Sequence, residues 1–276
     1  MKFLNTPDKN SYKRMTNAEL EENFLIAKLF VENEITLTYT DVDRAIVGGV
    51  MPTGPSISLP THKELAAEYF CERREVGVIN IGDTGTVCID GTNYEMKNKD
   101  SLYIARGAKE VSFTSANGSS PAKFYLVSYP AHTAYTTVLV KQKDANILSM
   151  GDQEQSNKRK IYQSLCPKTL QSCQLVMGIT EIAPGNVWNT KPPHTHPRRT
   201  EVYMYFDMPM NERVFHFMGE PHNVRPLVMT PETAIASPSW SIHSGVGSTN
   251  YTFIWAMGGE NQEFDDMDHL TLEDIH

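Results

Sequence analysis

The apolar positions of this chain fall mostly into short runs. From Ile35 onward they read ITLTYT, RAIVGGVM, VGVINIG, GTVCIDG, SLYIA and KEVSFT, then FYLVSYP and TTVLV. Gly, Asp and Asn turns such as Asp90-Gly91 and Asn98-Lys99-Asp100 separate them. Runs this short, rich in β-branched and aromatic residues and evenly spaced, predict the strands of a sandwich or barrel rather than βαβ units. Ahead of them, residues 16–32 carry apolar residues at rough helical spacing, with Thr16 as a cap and Glu19 three residues on. A short helix without a catalytic role is expected there. Residues 141–160 are polar and aperiodic, which predicts a connection between domains. A second β-rich series follows: CQLVMGITEI, NVWNT, TEVYMYFD, RVFHFMG, PLVMT, TAIASPS and YTFIWAMGG. The acidic end, ENQEFDDMDHLTLEDIH, is expected to pack as an extension or to reach a neighbouring subunit. The pattern therefore predicts an all-β protein with a few short helices, divided into residues 1–145 and 146–276.

The two halves resemble each other. Arg73-Arg74-Glu75-Val76 leads into VGVINI, as Arg198-Arg199-Thr200-Glu201-Val202 leads into YMYF. Self-similarity of this kind points to duplication of one β-unit. The first half lacks histidines where the second has His194, His196 and His243, so only the second is expected to hold a metal this way. A metal-free first half in turn predicts that Glu75 can be replaced with little loss of activity.

Composition narrows the partners. The net charge of −8 argues against nucleic acid or an anionic membrane, both of which select basic surfaces. A small anionic substrate stays open, because a local basic cluster can bind it. The start shows no apolar leader, and no window approaches the roughly 20 apolar residues of a membrane span. A cytoplasmic protein is expected, with Cys71, Cys88, Cys166 and Cys173 as reduced thiols.

The candidate chemistry lies in KPPHTHPRRTEVYMYFD, residues 191–207. Imidazole and carboxylate are ligands for Zn, Mn, Fe or Ni. His194 and His196 stand two apart, a spacing that shares one face of a strand. Glu201 follows, and His243 comes later in SPSWSIHSG. With nine histidines in the chain, one HxH pair arises readily by chance. The pair followed by Glu201 and then by His243 in a β-rich chain is better explained by a metal site. The other histidines, among them His216 and His269, are expected to be surface or packing residues.

These residues resemble the cupin signature. Gly185, His194-Thr195-His196 and Glu201 match its first motif, and Pro238 with His243 its second, with Trp240 in place of a glycine. A closer resemblance, carried by RREVGVINIG, APGNVWNT, HTHPRRTEVY, SPSWSIHSGVG and YTFIWAMGGENQEFDDMDH, is to the 5-keto-4-deoxyuronate isomerases. It implies two cupin-type β-sandwich/barrel (jelly-roll) domains, a degenerate one (1–145) and a metal-binding one (146–276). It also implies one Zn2+ per subunit on His194, His196, Glu201 and His243, a homohexamer, and a role in pectin and uronate breakdown. The implied reaction moves a carbonyl from C1 to C2 of a small sugar acid, with the metal polarising the carbonyl. Glu201 is then a candidate base as well as a ligand, and Tyr203, with Tyr205, a candidate donor to substrate oxygens. Lys191, Arg198 and Arg199 are candidate partners of the substrate carboxylate, and Trp188 and Trp240 candidate apolar walls. An Fe(II) cupin dioxygenase acting on a small acid uses the same ligand set. A sugar-binding or storage protein with an incidental metal is a third class.

Overall fold

In the computed structural model, which describes residues 1–276, strands dominate and fall into two similar sandwiches. The first large sheet orders its strands Lys2–Leu4, Ile35–Thr40, Ile46–Val50, Phe124–Pro130, Arg74–Asn80, Ser101–Ile104 and Val138–Val140. The second orders Asn146–Met150, Arg159–Leu165, Val176–Ile182, Thr252–Gly259, Arg199–Phe206, Thr233–Ser237 and Leu25–Ile26. Each is matched by a four-stranded sheet. One contains Ile57–Ser58, Val111–Ser115, Gly85–Ile89 and Thr92–Met96, the other Trp188–Asn189, Ile242–Gly247, Val214–Gly219 and Arg225–Met229. The strand orders correspond, so the duplication expected from the sequence is present in the topology.

Three apolar layers hold the molecule together. Val76, Val78, Leu102 and Phe124 of the first large sheet pack against Val87, Ile89, Val111 and Phe113 of its small partner. Tyr203, Tyr205, Phe253 and Trp255 do the same against Val214, Met218, Leu227 and Met229 in the second sandwich. Between the two large sheets lies the largest layer, where Val47, Ile79, Tyr125 and Val127 meet Met177, Ile179, Val202, Met204 and Ile254. The large sheets thus stand back to back. Their central strands, such as Arg74–Asn80 and Arg199–Phe206, are buried along their whole length because both faces are covered. That is why these strands read as continuous apolar runs rather than alternating ones.

The first half also lends an edge to the second. The expected helix exists as Asn17–Phe24, with Thr16 and Glu19 forming a reciprocal cap. It stops earlier than residue 32, and Leu25–Ile26 turns into a strand on the free edge beside Thr233–Ser237. Tyr12, Leu20 and Phe24 pack into the second sandwich, and the Tyr12 hydroxyl donates to the Met218 carbonyl at 2.8 Å. The polar stretch 141–160 is built into the sheets. A short 3-10 turn, Gln142–Asp144, leads into Asn146–Met150, which pairs with Arg159–Leu165.

The one-residue difference between RRE and RRTE flips a face. In Arg199–Phe206, Glu201, Tyr203 and Tyr205 look into the second sandwich, while Val202, Met204 and Phe206 look towards the other large sheet. In Arg74–Asn80 the inward residues are Val76 and Val78, so Glu75 points the opposite way. Strand residues alternate faces, and an offset of one moves a side chain across the sheet. Glu75 is therefore no counterpart of Glu201. Its fully buried carboxylate accepts from the backbone N–H groups of Cys173 (2.7 Å), Gln174 (2.7 Å) and Leu175 (2.9 Å), and from the Tyr103 hydroxyl (2.7 Å). A carboxylate of the first half thus clasps a loop of the second. In the reverse direction Thr200 donates to Asp43 through its N–H (3.1 Å) and hydroxyl (2.6 Å).

Candidate metal centre

Four side chains converge inside the second sandwich. Pro192, Pro193 and Pro197 keep the approach to the site out of helix. Only His194–Thr195 of this segment is strand, and it pairs with Asp268–His269 near the chain end. His196 lies just past it. Its Nδ1–H donates to the Arg199 carbonyl at 2.9 Å, which leaves Nε2 as the nitrogen that faces the cluster. Glu201 comes from the large sheet and His243 from the small one, where it pairs opposite Met218. The site therefore bridges the two sheets.

His194, His196, Glu201 and His243 are all buried, and one ligand atom from each lies within 4.8 Å of all the others. His243 Nε2 is 2.9 Å from His194 Nε2 and 2.8 Å from Glu201 Oε2, and His196 Nε2 is 3.1 Å from the same oxygen. Burial, with the adjacent His243, lowers the pKa of His194 to about 2. His243 is also lowered by burial, partly offset by Glu201. Burial alone would lower His196 too, but its contact with Glu201 outweighs this and raises it. Burial would raise Glu201, yet His243 and His196 hold it well below the carboxylate range. Three imidazole nitrogens crowded around one ionised oxygen leave lone pairs without enough protons to share. That donor set fits a divalent cation, which accepts all four at once.

A cavity of about 240 Å3 opens beside the cluster. His194, Glu201, Tyr203, Lys191, Asn189 and Thr190 form its polar side, and Ile161, Phe253, Trp255, Met257 and Phe264 its apolar side. Tyr203 is buried with its hydroxyl 3.2 Å from the Thr190 hydroxyl. Burial, reinforced by Glu201, keeps its proton on well beyond the ordinary tyrosine range. Tyr203 thus keeps a protonated hydroxyl at the cavity wall. Tyr205 lies deeper, its hydroxyl hydrogen-bonded to His216 Nδ1 at 2.7 Å, and burial brings His216 down to about 3. His216 is a packing residue, as expected from the sequence.

Other expected site residues lie elsewhere. Arg198 and Arg199 do not line the cavity. Arg198 is paired to Asp266, with Nε–Oδ distances of 2.9 and 3.0 Å, and to Asp268 at 3.2 Å. Arg199 is fully buried and donates to the carbonyls of Glu263 (2.6 Å) and Asp266 (2.8 Å). Acidic groups and carbonyls of the tail engage both guanidinium groups, leaving only the buried Arg199 Nε without a partner, and both are held away from the cavity. Trp240 is no cavity wall, because it packs edge-on against Tyr12 and Phe24 at ring separations of 5.2 and 6.5 Å. Trp188 carries the Lys191 ammonium over its ring at 5.3 Å.

Two contributions were not read from the sequence. The tail forms one wall of the cavity, through Phe264, Asp265, Met267 and His269. His269, expected at the surface or in packing, stands with its ring 6.2 Å from that of His194. The signal was the acidic composition of the tail facing Arg198-Arg199, a charge match across 68 residues of sequence. Arg159 also lines the cavity. It sits in the polar stretch taken for a linker, and only its alternation with Ile161 marks it as inward-facing.

Comparison with known proteins adds the following. The model of the KduI/IolB family matches residues 26–272. A 4-deoxy-L-threo-5-hexosulose-uronate ketol-isomerase of Lachnoclostridium phytofermentans is 53% identical over 263 residues, covering 95% of each chain. One of Escherichia coli O139:H28 is 51% identical over 265 residues, again covering 95% of each. Among solved structures, an IolB-like protein from Salmonella typhimurium LT2 superposes with a TM-score of 0.68 at 13% identity, over 83% of this chain and 88% of that one. A Bacillus subtilis oxalate decarboxylase mutant superposes with a TM-score of 0.55 at 11% identity, over 79% and 70%. At such identities the likeness is one of fold, and the fold is that of the cupins.

Proposed function

The chain belongs to the KduI/IolB family, and on that premise we propose that it is a metal-dependent ketol-isomerase. It converts 5-dehydro-4-deoxy-D-glucuronate (4-deoxy-L-threo-5-hexosulose uronate) to 3-deoxy-D-glycero-2,5-hexodiulosonate. The observation that carries this reading is the identity of about half, over nearly the full length, to relatives bearing that activity as their name. The convergent cluster beside a small cavity supports it independently. In this reading residues 146–276 form the working module and 1–145 a metal-free one.

His194, His196, Glu201 and His243 hold one ion, taken as Zn2+. Bound there, a divalent cation supplies Lewis-acid polarisation of the substrate carbonyl. The chain's own residues do the rest. The carbonyl moves from C1 to C2 while a hydrogen moves the other way, so a group must take the C2 proton and return one to C1. Glu201 is ionised and is the carboxylate nearest the reacting end. Its low proton affinity favours the ligand role over that of base. Tyr203 keeps its proton and donates to a substrate oxygen. Phe253, Trp255, Met257 and Phe264 keep water from the cavity, which strengthens each polar contact inside. Lys191, at the cavity's edge, attracts the anionic substrate. The same resemblance supports a cytoplasmic homohexamer, which light scattering on purified protein tests.

The test of function is a coupled assay with the keto-deoxyuronate, run on chelated protein and after adding back Zn, Mn, Fe or Ni. Turnover restored by metal, without oxygen uptake, is the expected result. Metal-dependent oxygen uptake with no isomer formed would overturn the reading in favour of a dioxygenase.

A further inference from the structure

The cavity contains a second charged group that the metal cluster does not use. Arg159 begins the strand Arg159–Leu165 and points, with Ile161, into the same cavity as Glu201 and Tyr203. It is partly buried. Its one protein partner is the Asn157 carbonyl, which accepts from NH1 at 2.9 Å. No carboxylate lies within ion-pair distance, whereas Arg198 has two such partners and the Lys99 ammonium is shared between Glu181 and Asp207. No aromatic ring stacks on it either. Asp265 lines the same cavity without reaching it. Burial lowers the proton affinity of Arg159, partly offset by Tyr203 and Tyr251, so the site is short of negative charge.

A guanidinium in this position is costly unless an anion joins it. It presents its remaining donors as a fork, the shape that binds a carboxylate through two parallel hydrogen bonds. The cavity is smaller than the roughly 300–1,000 Å3 that holds drug-sized ligands, so it suits a short molecule. Its polar lining holds the metal cluster and Arg159, its one guanidinium, together with Lys191, Tyr203 and Asp265 among others. A ligand with a carbonyl at one end and a carboxylate at the other matches that pattern.

We propose that Arg159 is the residue that fixes the carboxylate of the substrate, and so makes the enzyme selective for sugar acids over neutral sugars. This rests on the isomerase reading for the substrate, but the anion site itself does not. It also moves the carboxylate site away from Arg198 and Arg199, whose charges are taken up by the tail, and leaves Lys191 an outer, attracting role.

The test uses the metal-loaded, full-length protein with Arg159→Met and Arg159→Lys. Retained metal content and an unchanged melting curve show that each variant is folded. With the keto-deoxyuronate, kcat/KM is expected to fall about 30- to 100-fold in Arg159→Met, mainly through KM, as loss of a charged hydrogen-bond pair predicts. Arg159→Lys should recover only part, because an ammonium keeps the charge and loses the fork. The second arm needs no turnover. D-Glucuronate, an unreactive uronate probe, should bind the wild type by calorimetry, while D-glucose should not, and Arg159→Met should abolish the difference. Wild-type turnover with unchanged KM and unchanged glucuronate binding in Arg159→Met would overturn the proposal alone. Absence of wild-type turnover would overturn the isomerase reading, and glucuronate binding would still decide the role of Arg159.

Discussion

At the scale of single residues, the cluster is defined by what its members lack. His194, His243 and Glu201 crowd to within 3 Å with too few protons between them, and His196 is oriented by a backbone carbonyl rather than by a neighbouring side chain. Replacing one ligand removes the cation's closed set but leaves the apolar layers untouched. His196→Ala is expected to lose bound metal and activity, while the circular dichroism spectrum stays that of the wild type. Metal content of one equivalent in that variant would exclude His196 as a ligand. The histidines also set a pH dependence. His194 and His216 are buried neutral, with folded-state values of about 2 and about 3 against 6.5 unfolded. Below pH 6.5 the unfolded chain takes up protons that the folded chain refuses. Stability should therefore fall as pH drops from about 6.5 towards 3, by up to about 1.4 kcal/mol per unit for each histidine, and be level on this account above pH 7. Bound metal adds to the same slope, since protons compete for its ligands. Urea melts at pH 7, 6 and 5 check this, and a midpoint that rises on acidification would contradict it.

At the scale of elements, the tail and the ligand segment behave as one unit. His194–Thr195 pairs with Asp268–His269, the Leu270 N–H donates to the Pro193 carbonyl at 3.1 Å, and Arg198 joins Asp266 to Asp268. The Arg199 bonds are buried, so they anchor the tail at Glu263 and Asp266. The Arg198 pairs are more exposed, so each contributes little and is weakened by salt. Arg198→Ala should leave the fold and the metal in place but speed hydrogen exchange across residues 264–270 by several-fold. Salt should do the same to the wild type and little to the variant. Equal exchange in both would remove the latch. The sequence told much of this architecture and missed specific parts. Strand runs, the helix cap at Thr16 and the four convergent side chains are local or chemically distinctive, so they were readable. Arg198 and Arg199 were assigned by their closeness to the ligands, because their true partners lie more than 60 residues further on. Arg159 is hard to read because its strand opens with polar residues on both faces, and the single step from Arg159 to Ile161 is too short an alternation to stand out. Trp240 was misplaced because its contacts, Tyr12 and Phe24, come from the far end of the chain.

At the scale of the whole molecule, the first sandwich supplies the face against which the second is built. The likeness between RRE and RRTE was read as a shared glutamate, and strand alternation undoes that reading. Glu75 serves the joint between sandwiches, where three backbone N–H groups depend on it. The expectation that its replacement spares activity concerns the site alone, and the structure adds a cost in stability. Glu75→Ala strands those donors in an apolar layer and should cost about 3–5 kcal/mol. For a chain of this size that is a loss of roughly 5–9 °C in Tm by calorimetry. A drop below about 2 °C would show that the clasp is dispensable. The lent edge has a consequence of another kind. Leu25–Ile26 is synthesised well before the strand that receives it, Thr233–Ser237. At about 5–20 residues per second, the early segment waits on the order of ten seconds or more for its seat to be synthesised. Until then Leu20, Phe24 and Ile26 have no core to enter. The nascent chain carries an unsheltered apolar segment until Thr233–Ser237 emerges, and its second sandwich cannot close before then.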